Sequence, residues 1–278
     1  MPPPDAELHP VATGPAKQTV DDHSAEQQLK LFAGWFCPFV QRAWITLEEK
    51  GIPYQYIEVN PYHKGPELMR SNPRGLVPTL EVAPGKSLYE STVLCEYLEE
   101  QYPDHKPHLL PSDSYERARS RIWMDYVTSR VIPAYHRLLQ FQPSSYEGDG
   151  DARLDELRAE FRKYLLEFAG EMADASQGPF FAGNEFGLVD ITLLPWGTRL
   201  WVFDEFKGGL GIPDRGKGGE DKGKWERWRV WLEAVTERES VKKTTSDREH
   251  YLPIYKKYAD DIAQSEMAKA TRAGRGVP

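Results

Sequence analysis

The first third of the chain alternates between strand-like and helix-like patterns of apolar residues. The apolar run at 29–33 predicts a strand, and the following stretch has apolar residues at helical spacing until Gly51, which suits a left-handed helix cap. The apolar face of that helix consists of Val40, Ala43, Trp44 and Leu47. The alternation at 54–59 predicts a second strand, parallel to the first through a right-handed crossover.

The pattern continues with a second helix and a hairpin. Residues 66–71 are helical in character, and the strand that follows them turns at 84–85 into another strand, 86–89. A third helix opens at Glu90-Ser91. The predicted order is therefore β-α-β-α-β-β-α.

Beyond Pro103 the spacing of apolar residues is helical throughout, which predicts a separate all-α region. Residues 115–140 form one predicted helix bent at Pro133, and the segments 143–150 and 208–224 are predicted loops. The apolar stripe of the helix between those loops comprises Leu154, Leu157, Phe161, Leu165, Phe168 and Met172. A later aromatic stripe, more typical of a core than of a ligand site, comprises Trp225, Trp228 and Trp231.

Composition argues against several classes of function. The 278 residues are enough for two hydrophobic cores, and no stretch approaches the roughly 18 apolar residues of a membrane span. A net charge of -8 without basic, aromatic-rich patches gives no sign of nucleic-acid binding. Two cysteines fit a reducing, cytoplasmic compartment. Residues 1–27 lack the order of a signal peptide and are expected to form a flexible arm, disordered or ordered only on contact.

Cys37 lies in Phe36-Cys37-Pro38-Phe39, between the first predicted strand and the first predicted helix. Pro38 suits the first helical position, which places the thiol at the positive end of the helix dipole. Thiols so placed can have pKa values of roughly 3.5–7.5, which makes them nucleophiles at neutral pH. A buried cysteine that only fills space is the alternative, but the strand, the helix start and the proline together favour a nucleophile.

These features together resemble a known family. The element order, the helix start at Cys37, the Val77-Pro78 pair and the Glu90-Ser91 helix opening are similar to those of the glutathione transferases, and the cysteine resembles the omega class. The resemblance covers about residues 28–262 and implies the α/β thioredoxin-like fold followed by an all-α domain. The implied organisation is a flexible arm (1–27), a thioredoxin-like glutathione-binding domain (28–104), an all-helical substrate domain (105–262) and a C-terminal tail (263–278).

The resemblance implies a glutathione site in the first domain. Val77 would pair its backbone with the cysteinyl part of glutathione, and Pro78 would be cis, which suits such pairing. Glu90 would bind the α-ammonium of the γ-glutamyl end, and Ser91 with its helix N–H groups the α-carboxylate. Glu90-Ser91 alone is more typical of an ordinary helix cap, and its place after Val77-Pro78 favours the binding role. Phe39 is expected to be a further glutathione contact.

Two positions depart from the family pattern. The family often has a lysine immediately before a Pro-Glu pair, where it meets the glycyl carboxylate, whereas here Gly65 precedes that pair and Lys64 lies one residue earlier. Lys64 remains the candidate for this contact. The family also tends to have Ser or Thr at the helix start before Asp190, where this chain has Gly187. Glycine serves as an N-cap at a cost of only a few tenths of a kcal/mol relative to serine, so Asp190 is expected to be structural.

A cysteine at position 37 implies thiol transfer. Transferases that conjugate electrophiles hold the glutathione thiolate with a Tyr or Ser hydroxyl, but residues 29–41 contain neither. A thiolate instead attacks a mixed disulfide and takes up the glutathionyl group. Position 40 is Val40 rather than a second cysteine, so a second glutathione would resolve the intermediate, and Cys95 is expected to be a packing residue. The expected reactions are reduction of glutathione mixed disulfides, dehydroascorbate-type reduction and reductive removal of glutathione from conjugates. Glutathione is the expected co-substrate, and no metal is expected.

The expected acceptor-substrate pocket lies in the helical domain and near the C-terminal helix. Residues 195–199 resemble the omega-class Pro-Trp-x-x-Arg stretch, whose arginine faces the active-site cleft. Arg199 could bind an acidic substrate group, and a salt bridge within the protein is the alternative. The other candidates are Trp123, Tyr126, Arg130, His250, Tyr251 and Tyr255. Some relatives have a tryptophan near the position of His250, so the acceptor itself stays undetermined.

Other functions stay open at this point. A protein of the same fold could bind glutathione and an apolar ligand with little or no turnover. Membrane insertion, as in channel-like relatives, is less favoured because residues 44–50 contain three charges. Homodimerisation is expected from the resemblance alone.

Overall fold

A computed structural model describes residue 5 and residues 7–278. The first elements are α1 (Gly14–Asp22), β1 (Lys30–Ala33), α2 (Pro38–Lys50), β2 (Gln55–Glu58), α3 (Pro66–Ser71), β3 (Thr79–Ala83), β4 (Lys86–Tyr89) and α4 (Ser91–Gln101). The following helices are α5 (Ser114–Tyr126), α6 (Ile132–Gln140), α7 (Gly150–Glu171), α8 (Leu188–Gly197), α9 (Trp201–Phe206), α10 (Lys222–Glu237), α11 (Glu239–Lys243), α12 (Arg248–Ala259) and α13 (Glu266–Arg272).

The chain divides into two compact units. The first unit comprises residues up to Ser112 together with Thr236–Tyr251, and the second comprises Asp113–Val235 together with Leu252–Pro278. Among the described residues, no helix is both long and apolar enough to cross a membrane.

The first unit contains a mixed sheet of four strands in the order β2-β1-β3-β4. Strand β1 pairs in parallel with β2 and antiparallel with β3, and β3 pairs antiparallel with β4. The predicted β-α-β-α-β-β-α order and the thioredoxin-like fold are confirmed. Helix α2 is buried at every position from Val40 to Leu47, and it ends at Gly51, whose φ of 57° provides the predicted left-handed cap.

The segment Thr236–Tyr251 belongs to the first unit because its side chains bind α2. The Arg238 guanidinium donates to both carboxylate oxygens of Glu49 at 2.6 Å. Farther along the same helix, the Gln41 side chain donates to the carbonyl of Thr244 at 3.2 Å. The unit is therefore completed by residues far beyond the predicted boundary at 104.

Contacts of the residues just after position 104 also show that the first unit extends past the predicted boundary. The buried Lys50 ammonium donates to the carboxylate of Glu99 at 2.7 Å and to the carbonyl of His105 at 2.9 Å. These bonds attach the residues after α4 to the end of α2, so the first unit continues to Ser112.

The segment expected to be a flexible arm contains α1 and is bonded to the first unit. The backbone N–H of Thr13 donates to the Ser246 hydroxyl at 3.1 Å. Just beyond α1, Nδ1 of His23 lies 3.1 Å from the Tyr54 carbonyl, and Nε2 lies 3.1 Å from a Glu48 carboxylate oxygen. Since both ring nitrogens face acceptors, the geometry fits a doubly protonated, charged imidazole. Burial lowers the pKa of His23, but the hydrogen bond and charge of Glu48 outweigh this, and the net pKa is raised.

The second unit is helical, as predicted, with an interruption in its first long helix. Residues Val127–Val131 form a π-helical turn between α5 and α6. Pro133 has no N–H to donate to the carbonyl of Ser129, so a widened turn just before the proline replaces the predicted simple bend at it. The apolar stripe of α7 is buried apart from the half-buried Leu154. The predicted core tryptophans Trp225, Trp228 and Trp231 are at most 1% exposed.

Asp190 organises the start of α8. Its carboxylate accepts hydrogen bonds from the backbone N–H of Phe181 at 2.8 Å, that of Gly187 at 2.9 Å and the indole N–H of Trp231 at 2.7 Å. Burial raises the pKa of Asp190 to about 6, although these donors lower it. Asp190 thus has the structural role that the sequence predicts.

The predicted C-terminal tail contains α13, which packs within the second unit. Ala268 and Ala270 of this helix are at most 1% exposed. The side chain of Gln140, at the end of α6, donates to the Ala268 carbonyl at 3.2 Å. The tail is therefore part of the helical core.

Candidate functional site

Cys37 is the N-cap residue of α2 and follows directly on a turn after β1. Its backbone N–H donates to the Gly34 carbonyl at 2.9 Å, and its own carbonyl accepts from the N–H of Gln41 at 3.1 Å. Pro38 occupies the first turn of the helix, as predicted. The thiol is partly exposed and neither cysteine of the chain forms a disulfide. The sulfur therefore lies at the amino end of a 13-residue helix, where the backbone N–H groups and the dipole favour an anion.

A buried arginine on the same helix provides a positive charge that interacts electrostatically with this thiol. Arg42, on α2, is 1% exposed, and its guanidinium lies 5.4 Å from the ring centre of Phe39. Burial lowers the pKa of Arg42 to about 10, while the charges of Cys95 and Cys37 raise it. Arg42 is consequently protonated at neutral pH and favours a thiolate at Cys37. Sequence reasoning missed this residue, because a charged side chain in an amphipathic helix is ordinarily assigned to solvent.

The Val77-Pro78 pair lies beside Cys37. The peptide bond between these residues is cis, as the resemblance implies, and the Val77 carbonyl is 4.0 Å from the Cys37 sulfur. The buried side chain of Asn72 donates to the Leu76 carbonyl at 3.2 Å. The backbone before β3 is therefore fixed next to the thiol.

Glu90 and Ser91 begin α4 on the same unit. Glu90 has a φ of 74°, a left-handed conformation that is uncommon for a residue with a side chain and often marks functional sites. Its carboxylate is half exposed and pairs with the Arg74 guanidinium at 2.6 Å. Ser91 is 7% exposed, and its hydroxyl accepts a hydrogen bond from Arg42 at 3.1 Å. A hydrogen bond thus joins the start of α4 to the buried arginine of α2.

Lys64 lies close to the Arg74–Glu90 pair. Its ammonium donates to the Arg74 carbonyl at 2.9 Å. The Lys64 stem packs against Gly75, where an added Cβ would come within 2.5 Å of it. The structure therefore brings together Lys64, Arg74 and Glu90, all of which have exposed or half-exposed polar ends suited to the charged groups of a peptide-like ligand.

The candidates for an acceptor pocket are distributed over both units. Trp123 and Tyr126 on α5 have ring centres 4.8 Å apart, and the Tyr126 hydroxyl donates to Glu167. Arg130, in the π-helical turn, is exposed, whereas Arg199 is 4% exposed and contacts the Pro195 carbonyl.

The remaining acceptor candidates belong to the C-terminal region. Tyr255 is 4% exposed within the second unit, and Tyr251 is 3% exposed within the first. His250, also in the first unit, has its ring 4.3 Å from that of His9. The assignment of these residues to an acceptor pocket stays a prediction.

Comparisons with known proteins agree on one family. Residues 36–101 match the model "Glutathione S-transferase, N-terminal domain", and residues 151–234 match "Glutathione S-transferase, C-terminal domain". The chain is 37% identical over 175 residues to glutathione S-transferase omega-1 of Sus scrofa, an alignment that covers 63% of this chain and 68% of that protein.

Solved structures give the same result. Glutathione transferase Omega 3C of Trametes versicolor is 44% identical, with a TM-score of 0.75, and the match covers 91% of this chain and all of that one. The rice protein GST1, solved in complex with glutathione, is 27% identical with a TM-score of 0.66, and the match covers 84% of this chain and 96% of the rice chain.

Proposed function

The chain belongs to the glutathione transferase superfamily and is omega-like, and we propose that it is a glutathione-dependent thiol transferase with Cys37 as its nucleophile. The observation that carries the proposal is the position of Cys37 at the start of α2, the helix that also carries the buried charge of Arg42. Both features stabilise a thiolate, whereas a conjugating transferase needs only a hydroxyl at this point.

The reaction proceeds by two exchanges at sulfur. The Cys37 thiolate attacks the glutathionyl sulfur of a mixed disulfide, the original S–S bond breaks, and the acceptor leaves as a thiolate that takes a proton. A second glutathione thiolate then attacks the glutathionyl sulfur on Cys37, which releases oxidised glutathione and restores the Cys37 thiolate. The sum is one mixed disulfide and one glutathione converted into one acceptor thiol and one glutathione disulfide. Dehydroascorbate-type reduction and reductive removal of glutathione from conjugates use the same cysteine.

Cys95 does not resolve the intermediate in this proposal. Its side chain is 2% exposed, and burial raises its pKa to about 11, although the Thr46 hydroxyl lowers it. A neutral, buried thiol is a poor nucleophile. The resolving thiol therefore comes from glutathione.

The first unit offers suitable groups for glutathione. The Val77 backbone lies next to Cys37 for pairing with the cysteinyl part, and Phe39 is the second residue of α2. The first N–H groups of α4 and the Ser91 hydroxyl suit the α-carboxylate of the γ-glutamyl end, and Glu90 suits its ammonium. Lys64 donates a hydrogen bond to the carbonyl of Arg74, whose guanidinium pairs with Glu90. We propose that Lys64 binds the glycyl carboxylate of glutathione. From the family resemblance we also propose that the protein is a homodimer. Light scattering after size-exclusion chromatography measures this oligomeric state directly.

Replacement of the nucleophile tests the proposal. In Cys37→Ser the hydroxyl can hydrogen-bond glutathione but cannot form a mixed disulfide, so thiol-transfer activity should nearly vanish while glutathione still binds. Cys95→Ser is the matched control and should keep its activity. Mass spectrometry after treatment with oxidised glutathione should show one glutathionyl group, on Cys37.

Two results would contradict this function. Full activity in Cys37→Ser, or no adduct on Cys37, would exclude the cysteine mechanism. Glutathione binding without measurable turnover of a small mixed disulfide in the wild type would favour a binding protein of the same fold.

A further inference from the structure

A buried carboxyl group lies beneath the turn that presents Cys37. Glu58, the last residue of β2, accepts a hydrogen bond from the backbone N–H of Trp35 at 3.2 Å. Its other oxygen, Oε2, is buried and has no hydrogen-bond partner among the described residues. Trp35 lies inside the turn that the Cys37 N–H closes onto the Gly34 carbonyl. The glutamate therefore holds the middle of this turn.

The turn is also packed tightly against the end of β2. The N–H of Val59 donates to the Ala33 carbonyl at 2.7 Å. A Cβ added to Gly34 would lie 3.2 Å from the Val59 carbonyl oxygen, which leaves little room for the turn to shift. Backbone contacts with the end of β2 and the hydrogen bond to Glu58 therefore both hold the turn in place.

We propose that Glu58 is a positioning residue for Cys37, which fixes the direction of the thiol through the backbone N–H of Trp35. This inference rests on the proposed function for its consequence in catalysis, but the position of the thiol can be measured without glutathione. Glu58 itself takes no part in the exchange at sulfur.

The groups around the carboxyl come from several elements. Trp35 approaches from the turn after β1, and the buried hydroxyl of Tyr56 on β2 influences the ionisation of the carboxyl. The ring of Tyr251, on α12, lies 5.0 Å from that of Trp35. On the arm, the His9 carbonyl accepts from the Trp35 indole N–H at 2.9 Å, and the His9 ring contacts His250.

Protonation of Glu58 is therefore linked to the geometry of the turn. Burial raises the pKa of Glu58 to about 8, although the Trp35 N–H and the Tyr56 hydroxyl lower it. Below pH 8 the carboxyl is neutral and remains under the turn. Above pH 8 the group becomes a carboxylate, which accepts the Trp35 N–H more strongly than the neutral acid does, so the constraint on the turn changes as Glu58 ionises.

Two substitutions separate the hydrogen bond from the titration. Glu58→Gln keeps a carbonyl oxygen for the Trp35 N–H but cannot ionise, whereas Glu58→Leu removes the acceptor at similar volume. The same changes at Glu81, a half-buried glutamate on β3 of the same sheet, are the matched controls. The rate of alkylation of Cys37 from pH 5 to 10, followed by mass spectrometry without glutathione, reports on the turn alone.

The wild type should show the inflection of the thiol itself and a second inflection near pH 8. The second inflection should be absent in Glu58→Gln and present in both Glu81 variants. Glu58→Leu should lower kcat for thiol transfer by about tenfold, the equivalent of one lost buried hydrogen bond, with the KM for glutathione unchanged within about twofold.

A second inflection that persists in Glu58→Gln, or a Glu58→Leu enzyme with wild-type kcat, would overturn the inference. If Glu58→Leu does not fold, the profile of Glu58→Gln decides alone. A wild type that shows the Glu58-dependent inflection but transfers no thiol would refute the proposed function and retain the positioning role.

Discussion

Removal of the Arg42 charge should slow the chemistry of Cys37 at low pH. Arg42 lies five residues after Cys37 on α2, which is about 7.5 Å along the helix axis, and side chains tilt toward the helix start. For a separation of about 8–10 Å and an effective dielectric constant of about 20, one unit charge stabilises a thiolate by about 1.7–2.1 kcal/mol. This energy corresponds to roughly an 18- to 35-fold change in the population of the thiolate below its titration midpoint.

The substitution Arg42→Met tests this value, because methionine fills much of the same space without a charge. Replacement of a buried ion by an apolar group is often tolerated, and the lost hydrogen bond to Ser91 should be partly offset by the absence of a buried charge. Alkylation of Cys37 at pH 6 should slow at least tenfold. Arg42→Lys, which keeps the charge but not the planar guanidinium, should recover part of the rate.

Two outcomes of the alkylation experiment would contradict this reasoning. A folded Arg42→Met protein with a wild-type alkylation rate at pH 6 would show that the helix dipole alone stabilises the thiolate. Loss of rate at all pH values by the same factor would indicate displacement of the thiol instead of loss of charge. Circular dichroism and the melting temperature of each variant serve as the control for folding.

Three further perturbations follow from contacts of single residues. Glu90→Ala should weaken glutathione binding about tenfold by calorimetry, with Cys37 still alkylated normally, and unchanged affinity would refute its role. His23→Gln should lower the melting temperature most near pH 5.5 and hardly above pH 8, since a raised pKa means that the stabilisation is complete below 6.5 and lost as the pH rises through the folded value. A constant difference from pH 5 to 9 would exclude the pairing with Glu48. Asp190→Ala leaves three buried donors unpaired and should lower the free energy of unfolding by about 3 kcal/mol or more in denaturant titrations, and a loss below 1 kcal/mol would contradict its structural role.

Local chemistry explains which parts of the fold could be predicted. Cys37-Pro38 and Gly51 determine the ends of α2 through short-range geometry, so the sequence alone located them. The alternation around β2 and the Pro-Gly turn after β3 are equally local. The order of the strands in the sheet is then restricted, because connections between strands are short and a parallel crossover is right-handed.

Long-range burial explains what the sequence could not show. Arg42 and Glu58 have ionisable side chains, which are ordinarily assigned to solvent, and only contacts made after folding remove their polar ends from water. Helix α1 buries only Ala16 and Thr19, which is too little to produce an amphipathic pattern. The attachment of Arg238 to Glu49 joins residues 189 positions apart, and no local signal predicts such a pair.

The return of Thr236–Tyr251 to the first unit has a consequence for synthesis on the ribosome. After Glu49 is synthesised, 189 further residues must be translated before its partner Arg238 is complete. For Gln41 and its partner Thr244, the number is 203 residues. At about 5–20 residues per second, each delay lasts roughly 10–40 s. During that interval α2 has been synthesised and the segment that covers it has not, so the surface that contacts Arg238 and Thr244 is exposed in the nascent chain.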